Sequence, residues 1–349
     1  MSVSLKPPAG SLSLESQRPF IMSMAALSPV PTRPVELRRL QDIVQSLFPT
    51  TTVRVQDVQV LDGHMHPLRL LKLSNGLQLM LKTSPRPTTA LLRRERYLLE
   101  TEARVLALLA SCAHPCIPQL FLFDPSRASL GSPFLFRQYI GGCPLHDMET
   151  QITTKQRRNI DRHLGSLVNL IGQQVAPSFG SLVKVAGGLG SPSWKHAYIC
   201  IFEEVLRDAE DMFINLPYAE IRREIDRLSP ALEEVTVPRL VIVDFGRPSQ
   251  IILDPELKQL RGVVDLGNAV WGDVLMAEIF ENPSSAVLEG FGSRLNLEGS
   301  ERIRILLYAC YRYVQKITEQ YYRNRNEALE IQARRGLTAT LQNINAIEL

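Results

Sequence analysis

The chain has 349 residues and a mass of 39.3 kDa; 45% of its residues are hydrophobic and 21% charged, enough for one large domain or two small ones. Thirty-nine basic against 36 acidic side chains leave a net charge of +3, with neither the basic excess of a nucleic-acid binder nor an acidic tail. No apolar run approaches the length of a membrane span, and five cysteines without a Cys-x-x-Cys pair argue against a disulfide framework or a zinc ribbon, so the expected setting is the cytoplasm.

Residues 1–35 are rich in serine and proline without a helical period, and a disordered leader is expected there. Pro34 opens a helix on the stripe Leu37, Leu40, Ile43, Val44 and Leu47. Strands are expected over 52–61, 68–73 and 77–81, the last two joined by the turn Ser74-Asn75-Gly76. A long amphipathic helix over 91–110 precedes strands over 120–123 and 134–139, and Gly141-Gly142 then breaks the chain. Helical spacing dominates afterwards, over 155–175, 194–212, 218–228 and 302–334. Short extended pieces over 240–243, 250–253 and 262–265 interrupt it. Strands first, helices second and a small β insertion among the helices predict a bilobal α+β fold. Its smaller, antiparallel lobe spans 36–143 and its helical lobe 144–349.

Lys82 ends an apolar strand, so its ammonium needs a partner. Glu102 lies twenty residues on, along the amphipathic helix. A strand lysine and a helix glutamate form the pair with which kinases position the phosphates of ATP. The same residues also fit a surface lysine and one of three local glutamates, Glu95, Glu100 and Glu102. Further on, Asp244 follows the apolar run Leu240–Val243, and Asp265 follows Val263-Val264. Two strand-end acids can share one cleft, where one orients an acceptor hydroxyl and the other holds a metal. They also fit two ordinary turn aspartates.

Several pieces together resemble the aminoglycoside phosphotransferase family, in particular its fungal members, within the protein-kinase-like fold. They are Pro238-Arg239-Leu240-Val241 with Asp244, Gly262-Val263-Val264-Asp265 and Trp271-Gly272-Asp273. Upstream, Glu102-Ala103-x-x-Leu106 with Ile117-Pro118, Tyr139-Ile140-Gly141-Gly142 and Phe179-Gly180-Ser181-Leu182 are similar to family segments in the same order. The resemblance covers roughly 50–330 and implies ATP and Mg²⁺ as cofactors and a small-molecule acceptor, with neither nucleic acid nor membrane as partner. It implies that Lys82 binds phosphates, that Glu102 holds it, and that backbone at Gln138, Tyr139 and Ile140 meets adenine. Asp244 becomes the catalytic acid, and Asp265, with help from Gln250, the metal ligand.

The pattern departs from the family in its catalytic loop. Ile242 stands where the family has histidine, and Ser249-Gln250 where it has asparagine, which implies one inserted residue at Arg247. These changes motivate a second reading, a kinase-like binding or scaffold protein without turnover. His64 and His66 read as a solvated loop, and Trp194, Tyr308, Tyr311 and Tyr322 as packing aromatics.

Overall fold

A computed structural model of the chain describes residues 34–348 apart from 50, 51, 62, 64, 293, 294, 296 and 297. Of the leader expected over 1–35, residues 1–33 lie outside the described residues, as does His64, while Pro34 and Val35 belong to the first helix. Among the described residues no helix is long and apolar enough to cross a membrane.

The N-terminal lobe comprises α1 (Pro34–Leu47), β1 (Val55–Leu61), β2 (Leu68–Leu73), β3 (Gln78–Thr83), α2 (Leu98–Leu109), β4 (Leu120–Asp124) and β5 (Phe134–Gln138). Its strands form one antiparallel sheet in the order β1-β2-β3-β5-β4. Period-two alternation divides the sheet's residues between two faces. Leu71, Leu73, Leu79, Leu81, Phe134 and Phe136 pack against Leu40, Ile43 and Val44 of α1. Met80, Lys82, Leu135 and Arg137 occupy alternate positions along β3 and β5, with Met80 paired to Arg137 and Lys82 to Leu135. The single long helix expected over 91–110 is instead a 3-10 turn, Arg93–Tyr97, followed by α2. Glu95 reaches back to the Leu92 N–H and Tyr97 leaves helical geometry, so the chain re-enters at a new angle.

The C-terminal lobe begins with β6 (Cys143–Pro144), α3 (Leu145–Met148), α4 (Thr154–Ile171), β7 (Gly180–Ser181), α5 (Leu182–Ala186), α6 (Trp194–Asp211), α7 (Tyr218–Leu228) and α8 (Pro230–Glu233). It continues with β8 (Arg239–Ile242), β9 (Ile251–Leu253), β10 (Leu260–Val263), β11 (Ala269–Gly272), α9 (Ser285–Phe291), α10 (Gly299–Tyr322) and α11 (Glu327–Asn345). The helix expected over 302–334 is broken in two. Arg323 is extended and Asn326 caps α11, so one apolar period runs through two packed helices. Trp194, Tyr198 and Phe202 of α6 interlock with Tyr308 and Tyr311 of α10 as packing aromatics.

Two small sheets sit within this lobe, ordered β10-β9-β6 and β7-β11-β8. After β7 the chain passes from one to the other twice, from β8 to β9 and from β10 to β11. Both crossings carry an acid, Asp244 in the first and Asp265 in the second. Hydrogen bonds from the Val243 N–H to the Asn268 carbonyl, 2.8 Å, and from the Val264 N–H to the Gln250 carbonyl, 3.0 Å, stitch the crossings together.

Candidate functional site

Lys82 lies on the central strand of the N-terminal sheet and is 7% exposed. Its Nζ donates to Glu102 Oε2 at 2.6 Å and to Asp265 Oδ1 at 3.0 Å. The sheet, the helix and the second crossing thus meet on one ammonium. Burial pulls the Lys82 pKa down, but Asp265 and Glu102 more than offset it, and the group holds its proton above the ordinary lysine value. The neighbouring ammonium in turn draws Asp265 down to about 2, against the opposing effect of desolvation. Asp265 is half exposed and has φ +58, a left-handed conformation that aspartate tolerates better than most residues.

Arg137 also converges on Glu102, its Nε 3.3 Å from Oε1. It stands in the apolar run Phe134-Leu135-Phe136 just as Lys82 stands in its own, so the signal used for Lys82 also marked Arg137. Sequence reasoning missed it for want of a motif.

Asp244 is buried at the first crossing, with Oδ1 lacking a hydrogen-bond partner among the described residues. Desolvation raises its pKa, although Arg247 and Arg94 act against this. Arg247 Nη1 is 3.7 Å from Asp244 Oδ2, while its Nε donates to Glu278 at 2.9 Å. Glu278 also receives Lys316, and Arg94 pairs with Glu319. Arg247 was legible only as an inserted loop residue, and Glu278, Lys316, Arg94 and Glu319 were not legible, because they come from distant segments without a motif. Gly246, with φ +108, lets the longer loop turn within the space between Asp244 and Gln250.

Among the described residues no ion pair joins Asp244 to Lys82. Gln250 bridges the two sides: its Nε2 donates to the Asp265 carbonyl at 3.3 Å, and its amide lies within electrostatic reach of Asp244. Among the expected adenine-contacting residues, the Gln138 and Tyr139 N–H groups bond to the carbonyls of Gln119 and Gln78. The Ile140 N–H has no hydrogen-bond partner among the described residues.

His66 is not solvated, contrary to the loop reading. It is 6% exposed, with Nδ1 2.9 Å from the Thr83 carbonyl, because the chain entering β2 folds it against the end of β3. Burial, then the charge of Lys82, lowers its pKa to about 4.

No family model and no curated protein matches the chain. Solved structures do. A Ralstonia eutropha protein provisionally described as an aminoglycoside phosphotransferase is similar at 11% identity and TM-score 0.63, over 89% of this chain and 99% of its own. The aminoglycoside phosphotransferase APH(4)-Ia, in a ternary complex with AMP-PNP and hygromycin B, is similar at 15% identity and TM-score 0.61, over 88% and 99%. A Thermobifida fusca protein provisionally described as a fructosamine-3-kinase is similar at 18% identity and TM-score 0.61, over 88% and 99%. The chain therefore has the bilobal, protein-kinase-like fold of the aminoglycoside phosphotransferases.

Proposed function

We propose that the chain is an ATP-dependent phosphotransferase, a small-molecule kinase that passes a γ-phosphate to a hydroxyl of a small acceptor, natural products included. The observation that carries this reading is the double contact of Lys82 Nζ with Glu102 and Asp265. Structures of similar fold supply the reaction class, and APH(4)-Ia was crystallised with a nucleotide analogue and an acceptor together.

In this reading the Ile140 N–H meets adenine, and Lys82 leaves Asp265 to align the phosphates while Glu102 holds it. Asp265 and Gln250 offer two hard oxygen donors, and among the described residues no cluster of three or more His, Cys, Asp or Glu is placed to hold a metal. Such a sparse set fits Mg²⁺, which takes one or two protein ligands and completes its shell with phosphates and water. When bound it would offset the charge developing on the transferred group. Asp244 accepts the proton of the acceptor hydroxyl as its oxygen bonds to the γ-phosphorus and the bond to the β-phosphate oxygen breaks, releasing ADP. Its raised pKa makes it a stronger base than an exposed aspartate.

Calorimetry of ATP binding, with and without Mg²⁺, tests the reading on wild type, Lys82→Ala and Asp265→Ala. Wild type is expected to bind with Mg²⁺ dependence, Lys82→Ala to bind weakly and Asp265→Ala to lose the dependence. A wild-type protein that shows no nucleotide binding in either condition rules the reading out.

Two observations favour a binding or scaffold protein without turnover: Arg247 stands beside Asp244, and Ile242 occupies the histidine position. On that reading Asp244→Ala leaves ATP binding and biological role intact. On the kinase reading the variant binds ATP and transfers nothing.

A further inference from the structure

Glu102 is 1% exposed, and its two oxygens are divided between two cations, Lys82 on Oε2 and Arg137 on Oε1. Arg137 is itself 4% exposed, and it also spans to the backbone, with Nη1 donating to the Gln138 carbonyl at 3.2 Å. Its charge reaches the other members of the cluster, acting on both Lys82 and Asp265. Two cations and two carboxylates therefore balance in a largely buried space.

We propose that Arg137 is a positioning residue that keeps Glu102 neutralised when Lys82 turns to the phosphates of a bound nucleotide, and ties that event to the 138–140 segment. The proposal rests on the nucleotide-binding reading given above. A buried carboxylate that shares its only cation with a ligand becomes costly, and α2 would be drawn out of place with it. Arg137 removes that cost because its guanidinium stays charged and presents a fork that can hold Glu102 and the Gln138 carbonyl together. The Nε–H is buried without a hydrogen-bond partner among the described residues, close to Oε1 but not aligned on it. It is a spare donor on which Glu102 can settle as Lys82 is shared with the phosphates. Without Arg137 the cluster carries an extra negative charge, which opposes an incoming polyphosphate and tightens the hold of both acids on Lys82.

The test is calorimetric titration of Mg²⁺-ADP, and separately of adenosine, into wild type, Arg137→Met, Arg137→Gln and Arg137→Lys. Loss of the guanidinium is expected to weaken ADP about tenfold or more in the Met and Gln variants, the scale of one charge-assisted contact. Adenosine, which carries no phosphate, is expected to bind all four proteins alike, and Arg137→Lys to recover part of the ADP affinity. If Arg137→Met fails to fold, the Gln and Lys variants carry the comparison. Equal losses for adenosine and ADP overturn the proposal, since Arg137 would then only shape the purine pocket. ADP binding by Arg137→Gln at wild-type strength overturns it too. Wild type that binds neither ligand removes the functional reading and this proposal with it, whereas ADP binding by wild type with unchanged variants removes this proposal alone.

Discussion

Lys82 Nζ and Asp265 Oδ1 stand 3.0 Å apart across 183 residues of sequence, one on the central strand of the N-terminal sheet and the other at a crossing between the two small C-terminal sheets. In the proposed kinase reading, the lysine assigned to the phosphates is held by the acid assigned to the metal. Nucleotide without metal must therefore compete with Asp265 for Lys82. Removing the acid's charge is expected to tighten metal-free ATP binding and abolish the benefit of added Mg²⁺. Because the Asp265 carboxylate is half exposed, solvent screens the pair and limits the gain to about 0.5–1 kcal/mol, or roughly two- to fivefold. Titrating Asp265→Asn with ATP in chelator and then in Mg²⁺ checks this, and metal-free affinity equal to wild type counts against it.

Gly267, two residues past Asp265, packs where no side chain fits. A Cβ there would stand 2.6 Å from the Leu98 carbonyl oxygen and 3.5 Å from Glu102 Cβ. Both neighbours belong to α2, and one is backbone that cannot rotate away. Gly267→Ala is expected to push α2 off the second crossing, costing about 1–3 kcal/mol of stability. It should also stretch the contacts of Lys82 and weaken nucleotide binding beyond the stability loss. Urea unfolding and ADP titration of the folded variant measure the two effects separately. A fully stable variant with intact affinity shows that the packing yields more freely than proposed here.

His66 makes acid stability informative. Its pKa falls from 6.5 to about 4 on folding, so the folded state resists a proton that the unfolded chain accepts. The neutral ring therefore contributes stability that is complete above about pH 6.5 and is lost as pH falls toward 4. The full shift corresponds to an upper bound on the order of 3 kcal/mol. His66→Gln should remove that part of the pH dependence while other carboxylates still titrate below it. Unfolding free energies at pH 7.5, 5.5 and 4.5 for both proteins decide the matter, and parallel curves defeat the prediction.

Strands were legible in the sequence where alternation was strong and the turn explicit, as with Leu68–Leu73 and the Ser74-Asn75-Gly76 turn. Element ends were not, because Tyr97 and Arg323 break helices inside an unbroken apolar period. Lys82, Glu102 and Asp265 were legible because a charge ending or interrupting an apolar run has to find a partner, and both acids prove to be partners of Lys82. Asp244 was legible as a strand-end acid and Arg247 only as an inserted loop residue, but Arg94, Glu278 and Glu319 around them were not. Their pairing depends on helices such as α10 folding back over the loop, which no local spacing encodes.

Asp273, which the sequence offered only as part of Trp271-Gly272-Asp273, serves as a buried anchor between the end of β11 and α10. Its Oδ2 accepts from Arg304 Nε at 2.9 Å and from the Tyr308 hydroxyl at 2.8 Å, and its Oδ1 accepts from the Leu275 N–H at 3.1 Å. Trp194 Nε1 extends the network to the Tyr308 oxygen at 2.7 Å. The Asp273 and Arg304 side chains are both more than nine-tenths buried, so breaking the pair leaves a core guanidinium with only the exposed Glu234 carboxylate, 3.3 Å from its Nη1, to balance it. Asp273→Ala is expected to cost about 3–5 kcal/mol. Asp273→Asn keeps the shape and one acceptor and should cost less. Arg304→Met, which removes the charge and fills the space, should cost less than Asp273→Ala even though it breaks the same pair. That ordering follows from the burial of the charge and not from the hydrogen bond alone, so equal losses for Asp273→Ala and Arg304→Met in urea unfolding would place the energy in the contact itself.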